Sequence, residues 1–192
     1  MFQLDRLNSE LTFFQKIKRL DYILLFSIIL LSGISLLVMY STDGGEILYH
    51  TKSHFVKLVT FFLLMLTISF FNIKFWHIFS YAIYFTIILL LIWVSVYGIR
   101  VSGSQRWIDL YFIVLQPSEL MKISVILCLA KYYHRLKIDD VNSFLSITVA
   151  MTIIIVPIIL VLSQPDLGTS VLIASSGLII LWLGGVKIKY FF

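Results

Sequence analysis

YILLFSIILLSGISLLVMY, residues 22–40, carries no charged side chain in 19 positions. As a helix rising 1.5 Å per residue it would reach about 28 Å, close to the roughly 30 Å hydrocarbon core of a bilayer. It is apolar around its whole circumference, which a helix on a water-soluble core seldom is. This run reads as a membrane span. Its polar lead (residues 1–21), its length and the absence of a small-x-small cleavage site set it apart from a secretory signal.

Five more apolar runs follow, giving spans at about 22–40, 55–71, 78–97, 118–133, 144–163 and 167–185. The chain is 60% hydrophobic and 13% charged, with a mean hydropathy of +1.00. A soluble domain has roughly 45–50% apolar and 25% charged residues. The fold class is therefore an all-α polytopic membrane protein with six transmembrane helices, preceded by a cytoplasmic segment over residues 1–21. A net charge of +5 is spread along the sequence and does not form a nucleic-acid patch. The single cysteine, Cys128, excludes an intramolecular disulfide and reads as a small packing residue.

The basic residues orient the spans. With the N-terminus inside, ten fall on the cytoplasmic side (Arg6, Lys16, Lys18, Arg19, Lys74, Lys131, Arg135, Lys137, Lys187, Lys189) and five outside (Lys52, Lys57, Arg100, Arg106, Lys122). That excess places both ends of the chain in the cytoplasm. The outer connections are then 41–54, 98–116 and the tight turn at Gln164–Pro165. Trp76, Trp93, Trp107 and Trp182 fall near the interfaces, where tryptophan anchors helices. His50, His54, His77 and His134 lack metal-ligand spacing and read as solvated or interfacial. Pro157 is a tolerated proline within a span.

Two polar stretches interrupt this pattern. GIRVSGSQRWIDLYFIVLQPSE, residues 98–119, holds more chemistry than a connector needs and leads into a helix start at Gln116-Pro117-Ser118-Glu119. Lys122 lies one turn deeper, on the face of Glu119. Gln164-Pro165-Asp166-Leu167-Gly168-Thr169-Ser170 repeats the device, with an acid in the first turn of the next inward helix. Span counting sets Arg106, Glu119, Lys122 and Asp166 at similar depth near the outer surface. Ionisable groups there are costly against lipid and should face the bundle or a wet cavity, where an anionic lipid-linked headgroup would fit. Two readings stay open for these acids: helix capping and ligand contact. For Lys122 the alternatives are pairing with Glu119 or snorkelling, and for Trp107 an interface anchor.

Gly103-Ser104-Gln105-Arg106-Trp107-Ile108-Asp109-Leu110, then Gln116-Pro117-Ser118-Glu119-Leu120-Met121-Lys122, then Gln164-Pro165-Asp166-Leu167-Gly168-Thr169, together resemble the SEDS (shape, elongation, division and sporulation) family. Gln105 and Leu167 are closer to its rod-shape branch than to its division branch. The resemblance implies a bacterial inner-membrane glycosyltransferase that polymerises lipid II outside the membrane, beside a class B penicillin-binding protein of the elongation machinery. By position, Arg106, Trp107, Gln116, Ser118, Glu119, Lys122, Asp166 and Thr169 would bind or orient lipid II. A cationic side chain or a divalent metal (magnesium or manganese) would stabilise the departing pyrophosphate, and a general base would activate the acceptor hydroxyl. No cofactor motif is recognisable.

Family members have about ten spans, with the proposed catalytic aspartate in a later outer loop of His-Thr-Asp-Phe character. No Asp or Glu follows Asp166 in this sequence, so that aspartate is expected beyond Phe192. The chain therefore reads as the N-terminal portion of such a protein, inactive alone. The competing functions are a lipid II flippase and a non-catalytic membrane partner of a penicillin-binding protein.

Overall fold

The computed structural model describes residues 13–101, 104–110 and 114–191. It is mainly helical, in element order α1 (Phe13–Lys18), α2 (Tyr22–Thr42), α3 (Tyr49–Phe70), α4 (Ile73–Tyr97), β1 (Ile99–Val101), β2 (Ser104–Asp109), β3 (Val114–Leu115), α5 (Pro117–Arg135), α6 (Phe144–Leu162) and α7 (Leu167–Leu183). Short 3-10 turns lie at Ile138–Asp140 and Ile188–Tyr190. The chain divides into two compact units, with the boundary between Ile73 and Lys74.

In the first unit, Asp21 caps α2 by accepting hydrogen bonds from the backbone N–H groups of Ile23 and Leu24, both at 3.0 Å. That satisfies two donors which a helix start leaves unpaired. α2 buries none of its residues and α3 only Thr51, as expected of helices whose solvent is lipid. Between them Gly44 and Gly45 both have positive φ, 77° and 83°, a backbone region closed to most side chains. The turn is fastened by Asp43, whose Oδ2 accepts from the Thr51 hydroxyl at 2.6 Å and from its N–H at 2.9 Å. The hydroxyl bond, then the backbone bond, holds the Asp43 carboxyl below its usual range. Deeper along the hairpin, Ser35 Oγ meets His54 Nε2 at 2.7 Å. His54 is thus engaged across two helices, where the sequence had it solvated or interfacial.

In the second unit the buried residues recur at spacings of three and four along each helix. α4 buries Ser80, Tyr84, Ile87, Leu91 and Val94, α6 buries Ser146, Ala150, Ile154, Pro157 and Val161, and α7 buries Thr169, Ser170, Ile173, Gly177 and Leu181. Burial at this spacing puts one narrow stripe of each helix inside and leaves the rest outside. Small residues bring the helices together: a Cβ on Gly177 would stand 2.6 Å from Ile154 Cγ1. α7 packs against α5 and α6. Polar side chains fasten the bundle through backbone carbonyls, with Tyr84 Oη donating to Ile153 O at 3.0 Å and Gln164 Nε2 to Leu91 O at 3.0 Å.

The structure departs from the sequence reading in four places. α3 and α4 begin earlier than expected, at Tyr49 and Ile73, because their polar first turns are helical even though hydropathy leaves them out. The connection after α4 is a three-stranded antiparallel sheet in the order β1-β2-β3, where a loop was expected. Asp166 is the N-cap of α7, not a first-turn residue, so Pro165 precedes the helix. Among the described residues four helices (α2, α3, α4 and α6) are long and apolar enough to cross a membrane by length and composition. α7, with 17 residues, falls short of that length, and α5 carries Glu119, Lys122, Lys131 and Arg135 within its 19. Cys128 is buried, as a packing residue should be.

Three expectations fall on residues outside those described. They concern Arg6 with the rest of the first twelve residues, Gly103 at the head of the first loop motif, and Phe192, beyond which the catalytic aspartate is expected.

Candidate functional site

The three strands bring the polar stretch back over the entrance of the bundle. Gly98 permits this, since a Cβ there would lie 2.6 Å from Val94 O and 3.2 Å from Trp107 O. β2 buries Ser104 and Ile108, four positions apart on one face of the strand. Its Arg106 is anchored at Nε by the Ser104 hydroxyl and pairs through Nη1 with Asp166 Oδ2 at 3.2 Å.

Asp166 is the meeting point. It is 7% exposed, and its Oδ1 accepts from the Thr169 N–H at 3.2 Å, which closes the first turn of α7. Its Oδ2 accepts from Gln116 Nε2 at 2.9 Å as well as from Arg106. Gln116 is the residue before Pro117, which starts α5, and its amide also donates to Ser118 Oγ at 2.9 Å. One carboxylate therefore ties together β2 and the starts of α5 and α7. Burial pushes the Asp166 carboxyl up, but hydrogen bonding from Thr169 and the charge and hydrogen bond of Arg106 outweigh it and hold the group below the usual carboxylate range. Asp166 is ionised at neutral pH and acts as an acceptor only. Thr169 Oγ1 is buried beside it without a hydrogen-bond partner.

Of the eight residues singled out in the sequence, the structure gathers five here: Arg106, Gln116, Ser118, Asp166 and Thr169. Glu119 and Lys122 form their own pair, Lys122 Nζ to Glu119 Oε2 at 2.9 Å, with the side chains 52% and 24% exposed. Trp107 follows Arg106 on β2, where strand alternation sends it to the other face, and is half-buried. Sequence reasoning missed Gln164 and Ser104. Gln164, 3% exposed, pins the α6–α7 turn to α4 and so fixes where Asp166 stands. The only hint was the repeated Gln-Pro before each helix start.

The guanidinium of Arg106 has donors beyond those given to Ser104 and Asp166, and it is 27% exposed. It can take an anionic oxygen without leaving Asp166. A divalent metal does not fit this donor set. The one carboxylate has both oxygens committed to N–H donors, and no group of three or more His, Cys, Asp or Glu converges among the described residues.

The chain is similar to known proteins in sequence and in fold. The chain is 38% identical over 153 residues to "Probable peptidoglycan glycosyltransferase FtsW" of Buchnera aphidicola from Schizaphis graminum, covering 77% of this chain and 43% of that one. It is 33% identical over 185 residues to "Peptidoglycan glycosyltransferase MrdB" of Escherichia coli, covering 95% and 48%. The chain thus spans less than half the length of these curated relatives. The crystal structure of the rod shape determining protein RodA of Thermus thermophilus superposes with a TM-score of 0.77 at 23% identity, covering 90% of this chain and 56% of that chain. Residues 17–192 match the family model FTSW_RODA_SPOVE, described as "Cell cycle protein". The chain is a multi-pass membrane protein that belongs to this family, the SEDS family that its three loop motifs resemble.

Proposed function

We propose that this chain supplies the lipid II-binding half of a peptidoglycan glycosyltransferase, working with a class B penicillin-binding protein in the bacterial inner membrane. The observation that carries the reading is the convergence of Arg106, Gln116 and Thr169 on the Asp166 carboxylate, with Ser118 accepting from the Gln116 amide. The names of the two relatives support the chemistry. Arg106 would meet an anionic phosphate oxygen of the substrate, while Asp166 and Ser104 hold the guanidinium in place before the substrate arrives. Lys122, a turn down α5, adds positive charge on the way in.

This chain's own residues bind and orient in that scheme. The ionised, triply hydrogen-bonded Asp166 is a poor proton acceptor, so in this reading it holds Arg106 and does not serve as the catalytic base. Purified residues 1–192, given lipid II and a divalent metal, should yield no glycan ladder on a gel. A ladder from this chain, abolished by Asp166→Asn, would put the catalytic group inside it and overturn the assignment.

The substrate is outside the membrane, so β2 must be outside as well. In a Cys128→Ala background, Gln105→Cys should react in intact cells with a maleimide that does not cross membranes, and Asp139→Cys should react only after lysis. The opposite pattern would invert the topology and remove the site from its substrate.

A further inference from the structure

The end of α5 farthest from the Asp166 cluster carries a second polar group, about 20–25 Å from Ser118 by helical rise. Lys131 is 5% exposed and donates to the Ile78 carbonyl of α4 at 2.7 Å. Its ammonium lies 4.6 Å from the ring centroid of Tyr81. Arg135, one turn on and exposed, lies over the same ring at 5.9 Å. His134, also exposed, meets His77 of α4 edge to face with centroids 5.2 Å apart. His77 Nε2 is buried in this seam with no hydrogen-bond partner.

Two like charges at i and i+4 on one helix face repel each other. Among the described residues no carboxylate compensates them. Among those residues neither Lys131 nor Arg135 has an ion pair, whereas Arg106 pairs with Asp166 and Lys122 with Glu119. A helix C-terminus favours one exposed cation. It does not account for a lysine held inside the seam, where it cannot extend to water. Tyr81 holds the Arg135 guanidinium over its face, so less freedom is lost when its planar fork engages two oxygens of one anion.

We propose that Arg135 and His134, backed by the charge of Lys131 over Tyr81, form a site for a phosphate group at this end of the bundle. The ligand is either the phosphodiester of a lipid headgroup or free phosphate. Arg135 makes the direct contact and Lys131 contributes through its field.

The test uses the purified 192-residue chain in an uncharged detergent. Native mass spectrometry compares retained phosphatidylglycerol with diacylglycerol, and a second arm follows thermal unfolding with inorganic phosphate. Preference for phosphatidylglycerol identifies the lipid source, and protection by inorganic phosphate alone identifies the free one. In whichever arm binds, Arg135→Gln should lower binding about tenfold, the scale of one charge-assisted hydrogen bond. Arg135→Lys, which keeps the charge and loses the fork, should retain part of it and guards against a folding defect in the first variant. Lys189→Gln, a basic residue held over Tyr190 outside the cluster, should change nothing. Binding in neither arm, or equal loss from Arg135→Gln and Lys189→Gln, would overturn the site.

Discussion

Arg106→Met is expected to destabilise the protein at neutral pH by about 1–3 kcal/mol, more than Asp166→Asn does. The methionine leaves an ionised carboxylate that is 7% exposed with only Gln116 and Thr169 as donors. A fully buried pair broken this way costs roughly 3–5 kcal/mol, but Arg106 is 27% exposed, so the site is partly wet and the lower range applies. Asp166→Asn instead strands a guanidinium that can turn to solvent. The pH dependence follows from the depressed carboxyl. Its contribution is complete above the unfolded value of about 3.9 and is lost as pH falls through the lower folded value. The gap between wild type and Arg106→Met should be full at pH 7 and narrow below about pH 4. Thermal unfolding in detergent across that range measures it, and a gap that widens towards low pH would contradict the pairing.

Glu119 and Lys122 should behave in the opposite manner. Their side chains are half and a quarter exposed, so this ion pair contributes no more than about 1 kcal/mol to stability. Glu119→Gln and Lys122→Met should each unfold within a degree or two of wild type. Lys122→Met should still weaken lipid II retention about tenfold, the loss of one charge-assisted contact. The swap Glu119→Lys with Lys122→Glu should keep stability without restoring retention, because the charge then sits a turn away from where the substrate needs it. Full retention in the swapped protein would reduce the pair to an internal strut.

The bundle was legible in the sequence because lipid imposes a simple rule on composition. An uncharged run such as 22–40 can only be a helix when no water is there to satisfy its backbone. Hydropathy fails where the helix leaves the lipid. The turn His50-Thr51-Lys52-Ser53-His54 is polar enough to look like a loop, yet α3 starts at Tyr49. The strands at 99–115 were illegible for a different reason: β1 and β3 are three and two residues long, too short to show alternation. Sequence depth put Arg106 near Asp166, but could not tell that Asp166 caps α7 and that Gln116 reaches it across 50 positions. Capping and ligand contact, which looked like alternatives, fall on one side chain. Its Oδ1 caps the helix and its Oδ2 organises the site. Lys131 is the reverse lesson. It counted among the cytoplasmic charges, and the structure buries it.

The direct test is lipid II binding by residues 1–192 in nanodiscs, read with a labelled substrate on wild type and Arg106→Met at neutral pH. If the Asp166 cluster is the headgroup site, wild type binds and Arg106→Met binds at least about tenfold more weakly while its helix content is unchanged. Equal affinity for the two folded proteins would contradict the account.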